Sequence, residues 1–268
     1  MKPAAFDYVR AESRHQVLEL LAEYGADARI IAGGQSLMAV LNMRLAQPKL
    51  LIDINQVADL AYIELRQDCL AVGAAVRQAQ LLARPTLVDE VPLLALAMPW
   101  IGHFQTRNRG TVCGSVAHAD PSAELPLCLV TLGGEIVLES KKGKRVVKAA
   151  EFFQGILTTD KRADELLVEV RFPLKREGIG YRFREIAMRH GDFAIVSLAA
   201  CVGTDEVRLG VGGVADRPVM RSLPRGAALA DALNETAWSL DAQDDVHASA
   251  AYRRQLIREL GHRLIEGV

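Results

Sequence analysis

Residues 28–54 leave little choice of local fold. Ala28-Arg29-Ile30-Ile31 reads as a short strand, Gly33-Gly34 interrupts it, Leu37 to Leu45 has helical character, and Leu50-Leu51-Ile52-Asp53-Ile54 follows Pro48 as a second strand. A crossover of this kind makes the strands parallel and the connection right-handed. It also places the Gly33-Gly34 turn at the C-terminal end of the first strand, the edge of such units where small ligands bind. Upstream, Ser13 and Gln16 have capping-box spacing, Val17, Leu20, Leu21 and Tyr24 share one helical face, and Gly25 sits where a C-terminal cap belongs.

From Ala61 the pattern changes to an antiparallel hairpin, Tyr62–Leu65 and Cys69–Val72 around Gln67-Asp68. Beyond it the sequence predicts helices near Arg77–Ala83 and Leu87–Met98, a loop at Gly102–Gly114, a helix from about Pro121, a hairpin from Glu135 to Val147, and a strand from Glu165 to Phe172. After the charged linker Lys175–Gly178 come three strand-like runs, Tyr181–Met188, Ala194–Val202 and Val207–Val214. Two helices follow, the last from about Ala250 to Glu266. The fold class read from this order is α+β, a βαβ subdomain, a larger antiparallel one, and a C-terminal three-stranded antiparallel sheet with helices.

Composition excludes several classes of function. The 268 residues carry 32 Lys and Arg against 33 Asp and Glu, a net charge of −1, so no nucleic-acid partner is implied. The one dense basic cluster, Lys141 to Arg145, reads as a solvated hairpin turn. The longest apolar runs fall short of the ~18 residues of a membrane span. Four cysteines, Cys69, Cys113, Cys128 and Cys201, form no Cys-x-x-Cys pair and no zinc-spaced cluster. With no secretory pattern at the N-terminus, the expected location is the cytoplasm.

Two segments carry candidate chemistry. Ala32-Gly33-Gly34-Gln35-Ser36-Leu37 lies between strand and helix, where successive amide N–H groups form an anion nest that needs no Lys or Arg. By itself a Gly-Gly turn is most often only a turn, and the segment is neither Gly-x-Gly-x-x-Gly nor a P-loop. The second, Gln105 to Pro126, sets Thr111 and Ser115 beside Gly110 and Gly114, with Asp120 and Pro121 suited to an N-cap and first helical position. Turn and cap duties account for Asp120, Pro121 and Gly110. They leave the density of hydrogen-bonding side chains between two apolar helices unexplained. His15, His247 and His262 read as surface residues, and His103 and His190 lack a partner at catalytic spacing.

Taken together, Ala-Gly-Gly-Gln-Ser-Leu, Gln-x-Arg-Asn-x-Gly-Thr-Val-x-Gly-Ser and Ala-Asp-Pro-x-x-x-Leu-Pro resemble the FAD-binding medium subunit of the molybdenum hydroxylases, as in carbon monoxide, xanthine and nicotine dehydrogenases. Asp164 to Pro173 and Arg189 to Val196 extend the likeness over nearly the whole chain. It implies a vanillyl-alcohol-oxidase-type FAD-binding fold. The FAD-binding domain would cover 1–174, with subdomains of about 1–55 and 56–174, and a C-terminal flavoprotein domain 178–268. Carried over position by position, the FAD diphosphate falls to Ala32, Gly33, Gly34, Gln35, Ser36 and Leu37 and to Thr111, Gly114 and Ser115. His118 and Glu124 match other cofactor contacts, Glu124 standing where Asp is usual. Ile101, Leu167 and Arg184 match contacts around the ring and ribityl chain, Arg184 in place of a common Lys. Phe193 matches a residue near one face of the isoalloxazine, and reads equally as a core aromatic. Cys113 replaces the first Gly of a Thr-x-Gly-Gly pattern, a strained substitution if that position needs a positive φ.

The resemblance also implies partners: a small subunit with [2Fe-2S] clusters, for which this chain has no cysteine set, and a large subunit with the molybdenum cofactor and the organic substrate, assembled as a dimer of heterotrimers. The activity expected is that of an oxidoreductase subunit that passes electrons through FAD to an outside acceptor, with no acid or base of its own. NAD, oxygen, a quinone or a cytochrome would each need only access to the flavin edge. A stand-alone flavin reductase or oxidase of the same fold is the alternative, and an assembly module without flavin the third reading.

Overall fold

A computed structural model describes residues 2–267. Strand β1 (Asp7–Arg10), helix α1 (Arg14–Tyr24), β2 (Ala28–Ile31), α2 (Leu37–Asn42) and β3 (Leu50–Asp53) open the chain. Both β1 and β2 run parallel to β3, which lies between them with Asp7 and Ala28 opposite Leu50. The crossover read from the sequence is present, and β1 adds a strand that it did not predict. Its burial pattern, mostly exposed along Asp7–Arg10, explains why no apolar alternation marked it. Ser13 caps α1 by accepting the Gln16 N–H at 3.2 Å, and Gly25, at φ +49°, ends it.

The second unit continues with β4 (Ile63–Leu65), β5 (Cys69–Gly73), α3 (Gln78–Leu82), α4 (Leu87–Glu90), α5 (Pro92–Ala97), α6 (Phe104–Arg109), α7 (Val112–His118) and α8 (Glu124–Leu132). Then come β6 (Glu135–Ser140), β7 (Gly143–Lys148), α9 (Ala149–Phe152), the small pair β8 (Phe153–Gly155) and β9 (Thr158–Thr159), and β10 (Leu166–Pro173). The antiparallel sheet has the order β4-β5-β10-β6-β7. Three local expectations are corrected. The apolar run Leu87–Met98 is two helices, because Pro92 starts a new one. The segment read as the loop Gly102–Gly114 is largely helical. Asp120 and Pro121 lie in a turn ahead of α8: Asp120 Oδ1 accepts the Ser122 N–H at 2.9 Å, and α8 begins only at Glu124.

The C-terminal unit comprises β11 (Gly180–Ala187), β12 (Ala194–Val202), β13 (Glu206–Gly212), β14 (Val219–Pro224), α10 (Leu229–Ser239) and α11 (Ala250–Glu266). Its antiparallel sheet has four strands in sequential order, not three. The fourth, β14, buries only Leu223 and lacks the apolar run that revealed its neighbours. β12 is buried on both faces. Ala199 and Cys201 join the core of the first two units, while Val196, Leu198 and Ala200 join a second core with α10 and α11.

Small residues let α8 sit close on this sheet. A side chain at Gly210 would lie 2.8 Å from Leu127 Cδ1 and nearer still to Thr131 Oγ1. Gly210→Ala is therefore expected to lower unfolding free energy by about 2 kcal/mol through overpacking, read from denaturant midpoints. Adding Thr131→Ala, which removes the obstructing hydroxyl, should recover part of that loss.

Candidate functional site

A cleft of about 1170 Å³ runs between the small parallel sheet, the α6–α8 segment and the β11–β12 turn. The first wall is the turn after β2. Gly34 takes a φ of +69°, which favours glycine. Helical bonding starts only at Met38, whose N–H donates to the Gly34 carbonyl at 3.1 Å. Among the described residues the amides of Gln35, Ser36 and Leu37 have no acceptor within the chain.

The second wall is the turn into α7. Arg77 and Thr111 form an antiparallel bridge, the Gln78 N–H donates to the Gly110 carbonyl at 2.9 Å, and the Val112 N–H donates to Val76 at 3.0 Å. The Thr111 hydroxyl accepts the Gly114 N–H at 3.1 Å. The two walls touch at Gly33, where a Cβ would lie 2.6 Å from Gly110 Cα and closer still to the Arg109 carbonyl oxygen. Cys113 occupies an ordinary helical position, and its buried thiol faces the Val72 carbonyl at 3.4 Å. The glycine it replaces is not needed for a positive φ here. Burial pushes that thiol well above its usual pKa, so it is no nucleophile.

Ala119 ends α7 in the left-handed region at φ +55°, a strained position for a residue with a side chain. It turns the chain between His118 and Asp120, which both line the cleft. Burial pulls the His118 pKa down, with the Asp120 charge acting in the opposite sense. Ile101 and Leu167 are buried beneath.

The C-terminal unit closes the far side. Gly191, at φ +88°, seats the β11–β12 turn on the other unit, since a side chain there would lie 2.8 Å from the Gly102 carbonyl and 2.9 Å from His103. Trp100 and His190 stack with ring centroids 5.2 Å apart. Asp192 both donates its N–H to the Arg189 carbonyl and pairs with Arg189 Nε at 3.0 Å, so it is turn former and ion-pair partner together. Phe193 lines the cleft with 70% of its surface exposed, which removes the core-aromatic reading.

The cleft thus gathers Ala32, Gly33, Gly34, Gln35, Ser36, Leu37, Ile101, Thr111, Gly114, Ser115, His118, Glu124, Leu167 and Phe193. It does not gather Arg184, which is exposed on β11 because its neighbour Glu185 takes the inward face. Lys161, Arg29 and Gln78 also line it and were not singled out from sequence. Lys161 Nζ donates to the Arg162 and Glu165 carbonyls at 2.9 and 3.1 Å, contacts that no spacing rule announces.

The family described as the FAD binding domain in molybdopterin dehydrogenase matches residues 4–175. The chain belongs to that family. It is 40% identical, over 99% of its length and 95% of the relative's, to the 6-hydroxypseudooxynicotine dehydrogenase complex subunit alpha of Paenarthrobacter nicotinovorans. To the nicotine 6-hydroxylase medium subunit of the same organism it is 37% identical over 99% and 98%. The solved carbon monoxide dehydrogenase of Hydrogenophaga pseudoflava contains a chain that superposes with a TM-score of 0.93 at 28% identity, covering 99% of this chain and 98% of that one. This FAD-binding, molybdenum-hydroxylase family is one of oxidoreductase subunits, and the resemblance carried by the two glycine-rich segments is shown.

Two buried carboxyl groups lie at the junction of α8 and the C-terminal sheet, Glu124 lining the cleft and Glu185 set deeper. Glu124, at the start of α8, is 8% exposed, and burial raises its pKa to about 7. Glu185 is 2% exposed, and among the described residues neither of its oxygens has a hydrogen-bond partner, nor does the Ser197 hydroxyl opposite it on β12. Burial and the Glu124 charge raise Glu185 to about 8. A carboxyl raised in the folded state holds its proton there longer than in the unfolded chain. Its contribution is fully present below the ordinary value and is lost as pH rises through about 8. Between pH 5 and 9 the wild type should therefore lose on the order of 3 kcal/mol relative to Glu185→Gln. Chemical denaturation across that range, giving parallel curves, would refute this.

Proposed function

We propose that this chain is the electron-transfer subunit of a heteromeric molybdenum-dependent hydroxylase or dehydrogenase. The convergence of the two glycine turns on one cleft carries the reading. The donor chemistry there fits a dinucleotide. Free amides at Gln35, Ser36 and Leu37, with hydroxyls at Thr111 and Ser115, are aimed at one volume large enough for FAD. FAD, held by these residues, would supply the redox chemistry between the partner's clusters and an external acceptor.

The chain's own residues bind, orient and shield. Ala32–Leu37 and Thr111, Gly114 and Ser115 hold the diphosphate. Glu124 accepts from hydroxyl groups of the cofactor, with His118 alongside. Ile101 and Leu167 give the ring an apolar floor that excludes water, and Phe193 covers one face while leaving access from solvent. Residues 1–174 act as the FAD-binding domain, in a fold of the vanillyl-alcohol-oxidase type, and 178–268 as the C-terminal flavoprotein domain. The partners are a small iron–sulfur subunit and a large molybdenum subunit, in a dimer of heterotrimers in the cytoplasm. No helix among the described residues is long and apolar enough to cross a membrane.

The purified protein should show flavin absorbance, or acquire it on addition of FAD, with one FAD released per chain on denaturation and no FMN. Gly33→Ala, which forces apart the two turns, should lower FAD affinity at least about ten-fold while the thermal midpoint falls only a few degrees. If neither the isolated chain nor its native complex took up FAD, the proposal would fail. FAD binding without any co-purifying molybdenum subunit would favour a stand-alone flavin enzyme.

A further inference from the structure

Arg77 does not line the cleft, yet it touches what supports both of its glycine turns. Its Nη1 donates to the Arg109 carbonyl, the same oxygen against which Gly33 packs. Its Nη2 donates to Asn55 Oδ1 at 2.5 Å, and Asn55 Nδ2 donates onward to the Ala32 carbonyl at 2.8 Å. Through its backbone Arg77 also bridges Thr111. One side chain and one asparagine thus join the beginning of the first turn to the beginning of the second.

The charge is the second observation. Both hydrogen-bond acceptors of the guanidinium are neutral oxygens, and among the described residues no carboxylate pairs with it. Arg84 pairs with Glu90, Arg145 with Asp160 and Glu165, and Arg171 with Glu135 and Glu169, whereas Arg77, like Arg107 and Arg208, donates to neutral oxygens alone. Arg77 is half-buried, and the repulsive field of Arg109 outweighs the attractive field of Asp53. A cation so placed gains from an anion on the other side of the turns it supports.

We propose that Arg77 is a positioning residue for the diphosphate of the bound dinucleotide, holding the two glycine turns at one separation and setting an uncompensated positive charge behind them. This rests on the FAD reading above. The guanidinium acts through the turn backbone and not by direct contact, so its effect must follow the phosphate charge of the ligand and spare its uncharged parts.

The test is competition against FAD by ADP and by adenosine, in wild type and in Arg77→Met, Arg77→Gln and Arg77→Lys. The wild type should prefer ADP over adenosine by at least about ten-fold. Arg77→Met and Arg77→Gln, the latter keeping a donor for the Arg109 carbonyl, should lose about ten-fold in FAD and ADP affinity with adenosine unchanged. Arg77→Lys, which keeps the charge, should retain most of the ADP preference. Loss of ADP and adenosine together in Arg77→Gln and Arg77→Lys, or no change in either, would overturn the proposal and leave Arg77 a packing residue. A wild type that takes up no FAD would instead overturn the flavin reading, and this inference with it.

Discussion

The contact between Gly33 and the Arg109–Gly110 backbone organises the molecule. Two turns far apart in sequence meet there with no side chain between them, because a single methyl group would collide with backbone on the opposing turn. Backbone cannot yield as a flexible side chain can. The distance between the loops, and with it the width of the cleft, is therefore set by the absence of one Cβ and held by Asn55 and Arg77. The free amides of the first turn and the hydroxyls of the second face a common volume only because this contact keeps them together.

A second glycine surface does the same work between the FAD-binding part and the C-terminal sheet. Gly210 and Gly212 on β13 lie beside Ala199 and Ser197 on β12, and α8 settles onto that shallow face. The same face buries Glu185 beneath the start of α8, close enough for the Glu124 charge to act on it. An uncompensated carboxyl in an apolar junction lowers stability when ionised. Its position couples the cleft floor to the seating of the C-terminal unit. The β11–β12 turn, lodged on Gly102 and His103 through Gly191, is the other side of that seating.

Much of the architecture was legible because it follows from local chemistry. The Ser13 cap, the Gly25 stop, the strand pair flanking Gly33-Gly34 and the hairpin around Gln67-Asp68 each rest on residues within a few positions of one another. Where the sequence misled, the missing information was not local. β1 and β14 bury few side chains and are strands because a neighbour pairs with them. Phe104–Arg109 is polar and reads as loop, but folds as a helix in the company of α3. Arg184 and Glu185 could not be sorted into outward and inward positions until the register with β12 was known.

The sequence by itself determined that two glycine-rich turns exist, one after a parallel strand and one rich in hydroxyl groups, and that no dense charge is needed to build them. Only the tertiary structure decided that they face each other, that Cys113 is an ordinary helical residue, that Phe193 stands exposed over a cleft, and that Arg77 lies behind both turns with no carboxylate partner among the described residues. The reason is the range of the forces involved. Turn and cap preferences act over a few residues of chain and are written in order along it. Close backbone approach, burial of charge and strand register depend on atoms far apart in sequence, and exist only once the core has brought them together.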